Sequence, residues 1–105
     1  YDLISPSAIR FLKQVSETCA DLGIETSMCG EATASPLAAL CFVMLGFHQL
    51  SMPAAGIGPV KQMIRSLDIS ALKPDFFALL ENPGSDFRND LLALTMKHRI
   101  AMLDG

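Results

Sequence analysis

The nine residues from Leu37 to Leu45 include no charged, amide or hydroxyl side chain. Ser35-Pro36 ahead of them is a helix start, because Ser can cap the first turn and Pro is tolerated inside it. Gly46 behind them supplies a stop. A helix that is apolar on nearly every face has to be covered on several sides. The longest apolar run, Leu37 to Phe47 with Gly46 breaking it, falls well short of the roughly 20 residues a membrane helix needs. This helix therefore reads as an interior element, and the rest of the chain must build layers around it.

The flanking pattern says what those layers are. Ser5-Pro6 is a second helix start, and Ile9, Leu12, Val15, Cys19 and Leu22 recur at three- and four-residue steps before Gly23. Ile24 to Cys29 reads as a short strand. By the two-residue period, Ile24, Thr26 and Met28 lie on one face and Glu25, Ser27 and Cys29 on the other. Gly30 to Ala34 is a loop into the apolar helix. Gln49 to Met52 reads as a second strand stopped by Pro53, and a Gly56-Ile57-Gly58-Pro59 turn leads into a helix with Val60, Met63, Ile64 and Leu67 inward. Helix, strand, helix, strand, helix with short loops argues for parallel strands joined by helical crossovers, an α/β arrangement. Beyond Asp68 the character changes. Ser70 to Leu80 and Ser85 to Leu103 read as two helices separated by Asn82-Pro83-Gly84, with Phe76, Phe77, Leu79 and Leu80 serving the first and Phe87, Leu91, Leu94 and His98 the second.

Two strands cannot make a self-sufficient parallel sheet, because such sheets need both faces covered. Composition agrees. Only 18% of the 105 residues are charged and half are apolar, against about a quarter charged in ordinary soluble domains. Mean hydropathy is +0.37, whereas a small domain needs a polar surface. The chain reads as a piece of a larger fold, and its start at Tyr1 rather than Met leads us to expect further chain upstream. No signal peptide opens it. Net charge is −3 with eight scattered basic residues, which excludes the concentrated positive face of a nucleic-acid binder. Three cysteines without metal-ligand spacing suit a reducing cytoplasm.

Cys29 ends the first strand, directly before the loop into a helix, and this is the end of parallel α/β folds where active sites are built. Gly30 beside it permits close approach of backbone or ligand. Most free cysteines are small buried apolar residues, and position alone favours that reading for Cys29. Cys19, on an inner helix face, and Cys41, in the apolar helix, read as packing. Glu31 reads as trim for the helix dipole. His48 falls at the opposite, stability end of the strands, and His98 between Lys97 and Arg99 complements a helix terminus. The six methionines read as core and gap fillers.

The letters around Cys29 carry more than its position. Ser27-Met28-Cys29-Gly30-Glu31, Ser35-Pro36-Leu37-Ala38-Ala39-Leu40, Leu45-Gly46-Phe47, Leu50-Ser51-Met52 and Ile57-Gly58-Pro59-Val60-Lys61 resemble Enzyme I of the phosphoenolpyruvate (PEP)-dependent phosphotransferase system, nearest its nitrogen-regulatory branch. Ser5 to Arg10 and Lys13 to Val15 fit the same family's preceding helix. The resemblance covers residues 1–67 well and the C-terminal helices loosely. Ala34 and Ser35 stand where the family usually has Gly and Asp. Ser35 can keep the capping role, whereas Ala34 lacks the freedom of Gly.

The resemblance implies a PEP-utilising (β/α)8 barrel, with 1–67 as its last two strand–helix units and 68–105 as terminal helices packed on it. It implies that Cys29 is the acid that protonates enolpyruvate after the phosphoryl group has passed to a histidine on another domain, with Gly30 a weak candidate for substrate contact. A thiol is mostly protonated near neutrality yet can surrender its proton, and an apolar pocket would favour the neutral form. It further implies Mg2+ in the parent enzyme, an HPr-like phosphocarrier partner and a homodimer. The family's phosphorylated histidine, magnesium-binding acids and substrate-binding arginines have no counterpart in this chain, so it is expected to be inactive alone. Two other readings stay open: a part of a pyruvate phosphate dikinase or PEP synthase, or a non-catalytic dimerisation module.

Overall fold

The computed structural model describes residues 4–30, 33 and 35–102. Seven elements follow one another: α1 (Pro6–Asp21), β1 (Ser27–Cys29), α2 (Pro36–Leu45), β2 (Gln49–Ser51), α3 (Ala54–Arg65), α4 (Ile69–Glu81) and α5 (Phe87–Lys97). The two strands pair in parallel, with Ser27 opposite Gln49, Met28 opposite Leu50 and Cys29 opposite Ser51. A parallel pair requires a crossover, and α2 is that crossover. The expected α/β order is present, although helix dominates.

The apolar helix sits where its composition requires. Nine of the ten α2 residues are buried, and α1, α3 and α4 all pack against it. Leu40, Cys41 and Phe42 are wholly inaccessible. Burial pushes the Cys41 thiol up to about 12, so it remains neutral in the core. The far ends of the chain join the same core through Phe76, Leu80 and Leu91.

α2 ends in a left-handed cap at Gly46, φ +91°. The Gly46 N–H donates to the Val43 carbonyl at 3.1 Å and the Phe47 N–H to the Phe42 carbonyl at 3.1 Å, the paired bonds of a Schellman cap. The Phe42 and Phe47 rings meet edge to face at 5.6 Å, supplying the apolar contact such caps use. The Leu45 carbonyl, in the same last turn, accepts the Ser16 hydroxyl at 2.6 Å. That bond explains why the buried face of α1 runs through Ala8, Ile9 and the polar Ser16. The expected inner row is tilted accordingly: Leu12, Val15 and Cys19 are half-buried, and Leu22 is 68% exposed. Cys19 therefore lines a surface groove with Phe11 and Val15 instead of filling the core.

Other expectations need correction. Both strands are shorter than predicted. The Thr26 carbonyl accepts the His48 and Gln49 N–H groups, at 3.0 and 3.2 Å, and the Thr26 N–H donates to His48 Nδ1 at 3.1 Å. These bonds close the ladder there and leave Ile24 and Glu25 outside it. Gly56 to Pro59 is not a turn but lies within α3, which begins directly after Pro53. Pro59 removes the donor for the Ala55 carbonyl, and the exposure of Ala55 lets water take that carbonyl up. Of the inner row of α3, Val60 and Met63 are buried, Leu67 is half-buried, and Ile64 is 40% exposed. Met96, at 79% exposed, is no core filler, unlike Met44 and Met63.

The C-terminal helices begin at acidic caps. Asp68 Oδ1 accepts from the Ala71 N–H and Asp86 Oδ1 from the Asn89 N–H. α5 stops at Lys97 instead of running to Leu103, which lies outside the described residues. Arg99 adopts φ +55°. The Arg99 N–H donates to Met96 at 3.2 Å and the Ile100 N–H to Thr95 at 2.9 Å. This is the same Schellman cap, built on a residue that enters the left-handed region at a cost. The turn delivers Ala101, whose N–H donates to Ser66 Oγ at 2.9 Å, so the tail is tied to the end of α3. His98 Nε2 meets Asp75 Oδ2 at 2.8 Å and Lys97 Nζ meets it at 3.3 Å, joining α5 to α4.

Two predictions follow from these caps and ties. Arg99→Gly should raise stability by about 0.5–1 kcal/mol, because glycine enters the left-handed region without the steric cost and offsets its own entropy; urea unfolding reads the change. The His98 hydrogen bond, then that of Lys97, holds the Asp75 carboxyl below the usual carboxylate range. Its contribution is therefore present above the unfolded carboxylate's pKa and lost as pH falls through the lower folded value. Asp75→Asn should lower the urea midpoint at neutral pH, and the two proteins should converge as pH falls through that lowered value.

Candidate functional site at the paired strand ends

Because β1 and β2 are parallel, their C-terminal residues finish side by side. Cys29 and Ser51 are register partners, and register partners present their side chains to the same face. In each strand the middle residue, Met28 or Leu50, packs on the core, while the outer two are exposed. The open face of the sheet is thus Ser27, Cys29, Gln49 and Ser51, a row of small or polar groups. All three cysteines are free, and Cys29 is the exposed one.

Gly30 follows at φ +115°, a conformation that L side chains rarely adopt. Among the described residues, its chain neighbours aside, no atom lies within 4 Å of where its Cβ would be, so the backbone angle is what requires glycine here. The Gly30 N–H still donates to the Ser51 carbonyl at 3.2 Å, extending the pairing one residue beyond Cys29.

Thr33 completes the turn. Its N–H donates to the Gly30 carbonyl at 3.2 Å. Its hydroxyl lies 2.6 Å from that carbonyl and 2.7 Å from the Ser51 carbonyl. Thr33 is wholly buried, and sequence reasoning passed over it as one residue of a loop. The available signal was a lone hydroxyl three residues after a glycine, the spacing at which Ser and Thr close local turns. Ser35 then caps α2, its Oγ accepting from the Ala38 N–H at 3.5 Å, the role expected of it. Glu31 and Ala34, singled out from the sequence, lie outside the described residues.

The histidines stand elsewhere. His48 sits at the start of β2, the end opposite Ser51, and accepts from Thr26, which fixes its ring proton on Nε2. His98 is engaged with Asp75. An open cavity of about 590 Å³ runs along β2 between α2 and α3, lined by Val43, Leu50, Ile57 and Val60 among others; Cys29 does not line it. Among the described residues no three His, Cys, Asp or Glu side chains gather closely enough to hold a metal ion. No helix there is long and apolar enough to cross a membrane.

Comparison with known proteins bears on this same segment. Residues 1–69 match the PEP-utilising enzyme, PEP-binding domain family. The chain is 36% identical over 73 residues to a phosphoenolpyruvate-protein phosphotransferase of Staphylococcus carnosus, and 32% identical over 73 residues to that of Borreliella burgdorferi. Each match covers 70% of this chain and 13% of the relative. A probable phosphoenolpyruvate synthase of Pyrococcus horikoshii is 31% identical over 64 residues, covering 61% of this chain and 8% of that protein. The chain thus spans a small part of the curated relatives it matches. With the family's segment running from α1 through α3 and containing both strand ends, the chain belongs to the PEP-utilising enzyme, PEP-binding domain family.

Proposed function

We propose that this chain is the C-terminal part of the PEP-binding (β/α)8 barrel of an Enzyme I-type PEP-protein phosphotransferase, of the nitrogen-regulatory branch, with Cys29 as its proton donor. The observation that carries this reading is the strand-end pair: Cys29 in register with Ser51 at the C-terminal end of a parallel ladder, followed by the obligatory turn at Gly30. Residues 1–67 supply the last two strand–helix units and 68–105 the terminal helices. Further strands of the parent close on the sheet edges, so that the row Ser27, Cys29, Gln49 and Ser51 faces the barrel interior. That placement also accounts for Phe11, Ile24 and Ile57, large apolar side chains left exposed here, which neighbouring barrel units would cover.

In the reaction, the P–O bond of PEP breaks as the phosphoryl group passes to a histidine on another domain, leaving the enolate of pyruvate. The electron pair of its C2–C3 double bond takes the proton of the Cys29 thiol. A C3–H bond forms, the S–H bond breaks, and C2–O becomes the carbonyl of pyruvate. The thiolate recovers a proton from water. Cys29 is exposed on the open face of the sheet, which leaves its sulfur accessible to the substrate methylene. Mg2+ would neutralise phosphoryl charge in the parent, but the described residues offer it no ligand set and the proton transfer does not pass through it. The partner that receives the phosphoryl group is an HPr-like phosphocarrier, and the parent acts as a cytoplasmic homodimer.

The synthase relative favours a second reading, in which the same strand ends serve a PEP synthase or pyruvate phosphate dikinase. An upstream ATP-grasp domain would support that reading, and an upstream GAF domain the nitrogen branch. In the full-length protein, Cys29→Ala should slow pyruvate release from PEP by roughly 10²–10⁴-fold, followed by a coupled pyruvate assay. Equal turnover of variant and wild type would leave Cys29 without a part in the proton transfer and overturn the assignment.

A further inference from the structure

We propose that Thr33 is the positioning residue for Cys29: its buried hydroxyl clamps the turn after Cys29 to the end of β2. The inference rests on the proton-donor reading above. Among the described residues, Thr33 is the one whose side chain bonds to both strand ends, at 2.6 Å from the Gly30 carbonyl and 2.7 Å from the Ser51 carbonyl. A hydroxyl has a single proton to donate, so these two carbonyls share it.

Neither carbonyl depends on that proton for satisfaction. The Gly30 carbonyl already accepts the Thr33 N–H, and the Ser51 carbonyl accepts the Gly30 N–H. Removing the hydroxyl therefore orphans no backbone group. What it adds is a short bridge from the residue after Cys29 to the residue opposite Cys29. This bridge sets how far apart the strand ends lie where the thiol emerges. A methyl group cannot replace it in place, since carbon and oxygen rest at about 3.3 Å or more. Thr33→Val keeps the side chain's shape but has to move the Gly30 turn and the Ser51 carbonyl apart by several tenths of an ångström. Misplacement of a reacting group by about 1 Å costs on the order of a hundredfold in rate.

The experiment compares the full-length protein with its Thr33→Val, Thr33→Ser and Cys29→Ala variants in pyruvate release from PEP. Peptide-mapped alkylation of Cys41 serves as a check on folding, because that thiol is wholly buried. Thr33→Val should lower kcat about tenfold or more, with KM for PEP within about twofold and Cys41 still protected. Thr33→Ser, which retains the donor, should keep kcat within about twofold of wild type. If Cys29→Ala abolishes turnover while a folded Thr33→Val runs at the wild-type rate, the clamp is refuted and the proton donor stands. If Cys29→Ala turns over normally, both fall together. A tenfold loss in Thr33→Ser refutes the clamp even where Thr33→Val fails to fold.

Discussion

The whole arrangement answers to the burial of α2. A ten-residue helix with nine residues out of solvent must be surrounded, and three helices and the two-stranded sheet it connects do this. Its ends are finished with equal economy. Ser35 caps the start, Gly46 closes the end, and the Leu45 carbonyl takes the Ser16 hydroxyl of α1. That hydrogen bond fixes which face of α1 turns inward, while the Thr26 bonds to His48 and Gln49 set where the ladder begins. The strand ends that present Cys29 follow from the apolar helix that connects the strands and from Met28 and Leu50, which pack on the core around it.

The sheet itself is minimal. Three residues per strand pair in register, one face packs on the core, and the other is open. The open face is polar and the packed face apolar, the alternation expected of a sheet covered on one side. Parallel strands in α/β proteins are covered on both sides, and this conflict is the strongest physical argument that the chain works within a longer one. The C-terminal helices add Leu72, Phe76, Leu80 and Leu91 to the core. They are tied back by the Arg10 bond to the Leu80 carbonyl at 2.8 Å, the Asp75–His98 contact and the Ala101–Ser66 bond.

Of the candidate site, Cys29 and Gly30 were legible because a strand end and a turn glycine leave marks in local sequence. Thr33 was not, because nothing local distinguishes a threonine that caps its own turn from one that also reaches a strand eighteen residues further on. The Gly56–Pro59 stretch of α3 misled in the opposite direction, whereas the helix expected over 70–80 already held Pro74. Pro59 and Pro74 both lie inside helices, where exposure of the preceding turn makes the missing hydrogen bond tolerable.

By itself the sequence determined the element order, the helix starts at Ser5 and Ser35, and the interior position of Leu37 to Leu45. Each depends on capping chemistry or on periodicity within a few residues. It also carried the family resemblance, through letters clustered at the strand ends. Tertiary structure alone decided the rest. The tilt of α1 toward Ser16, the shortening of both strands, the end of α5 at Lys97 and the clamp at Thr33 all depend on hydrogen bonds between residues that the fold brings together or on backbone angles no propensity foretells. Outside the local cap at Arg99, a polar group had to find its partner across the fold, and where that partner lies is a property of the packed chain.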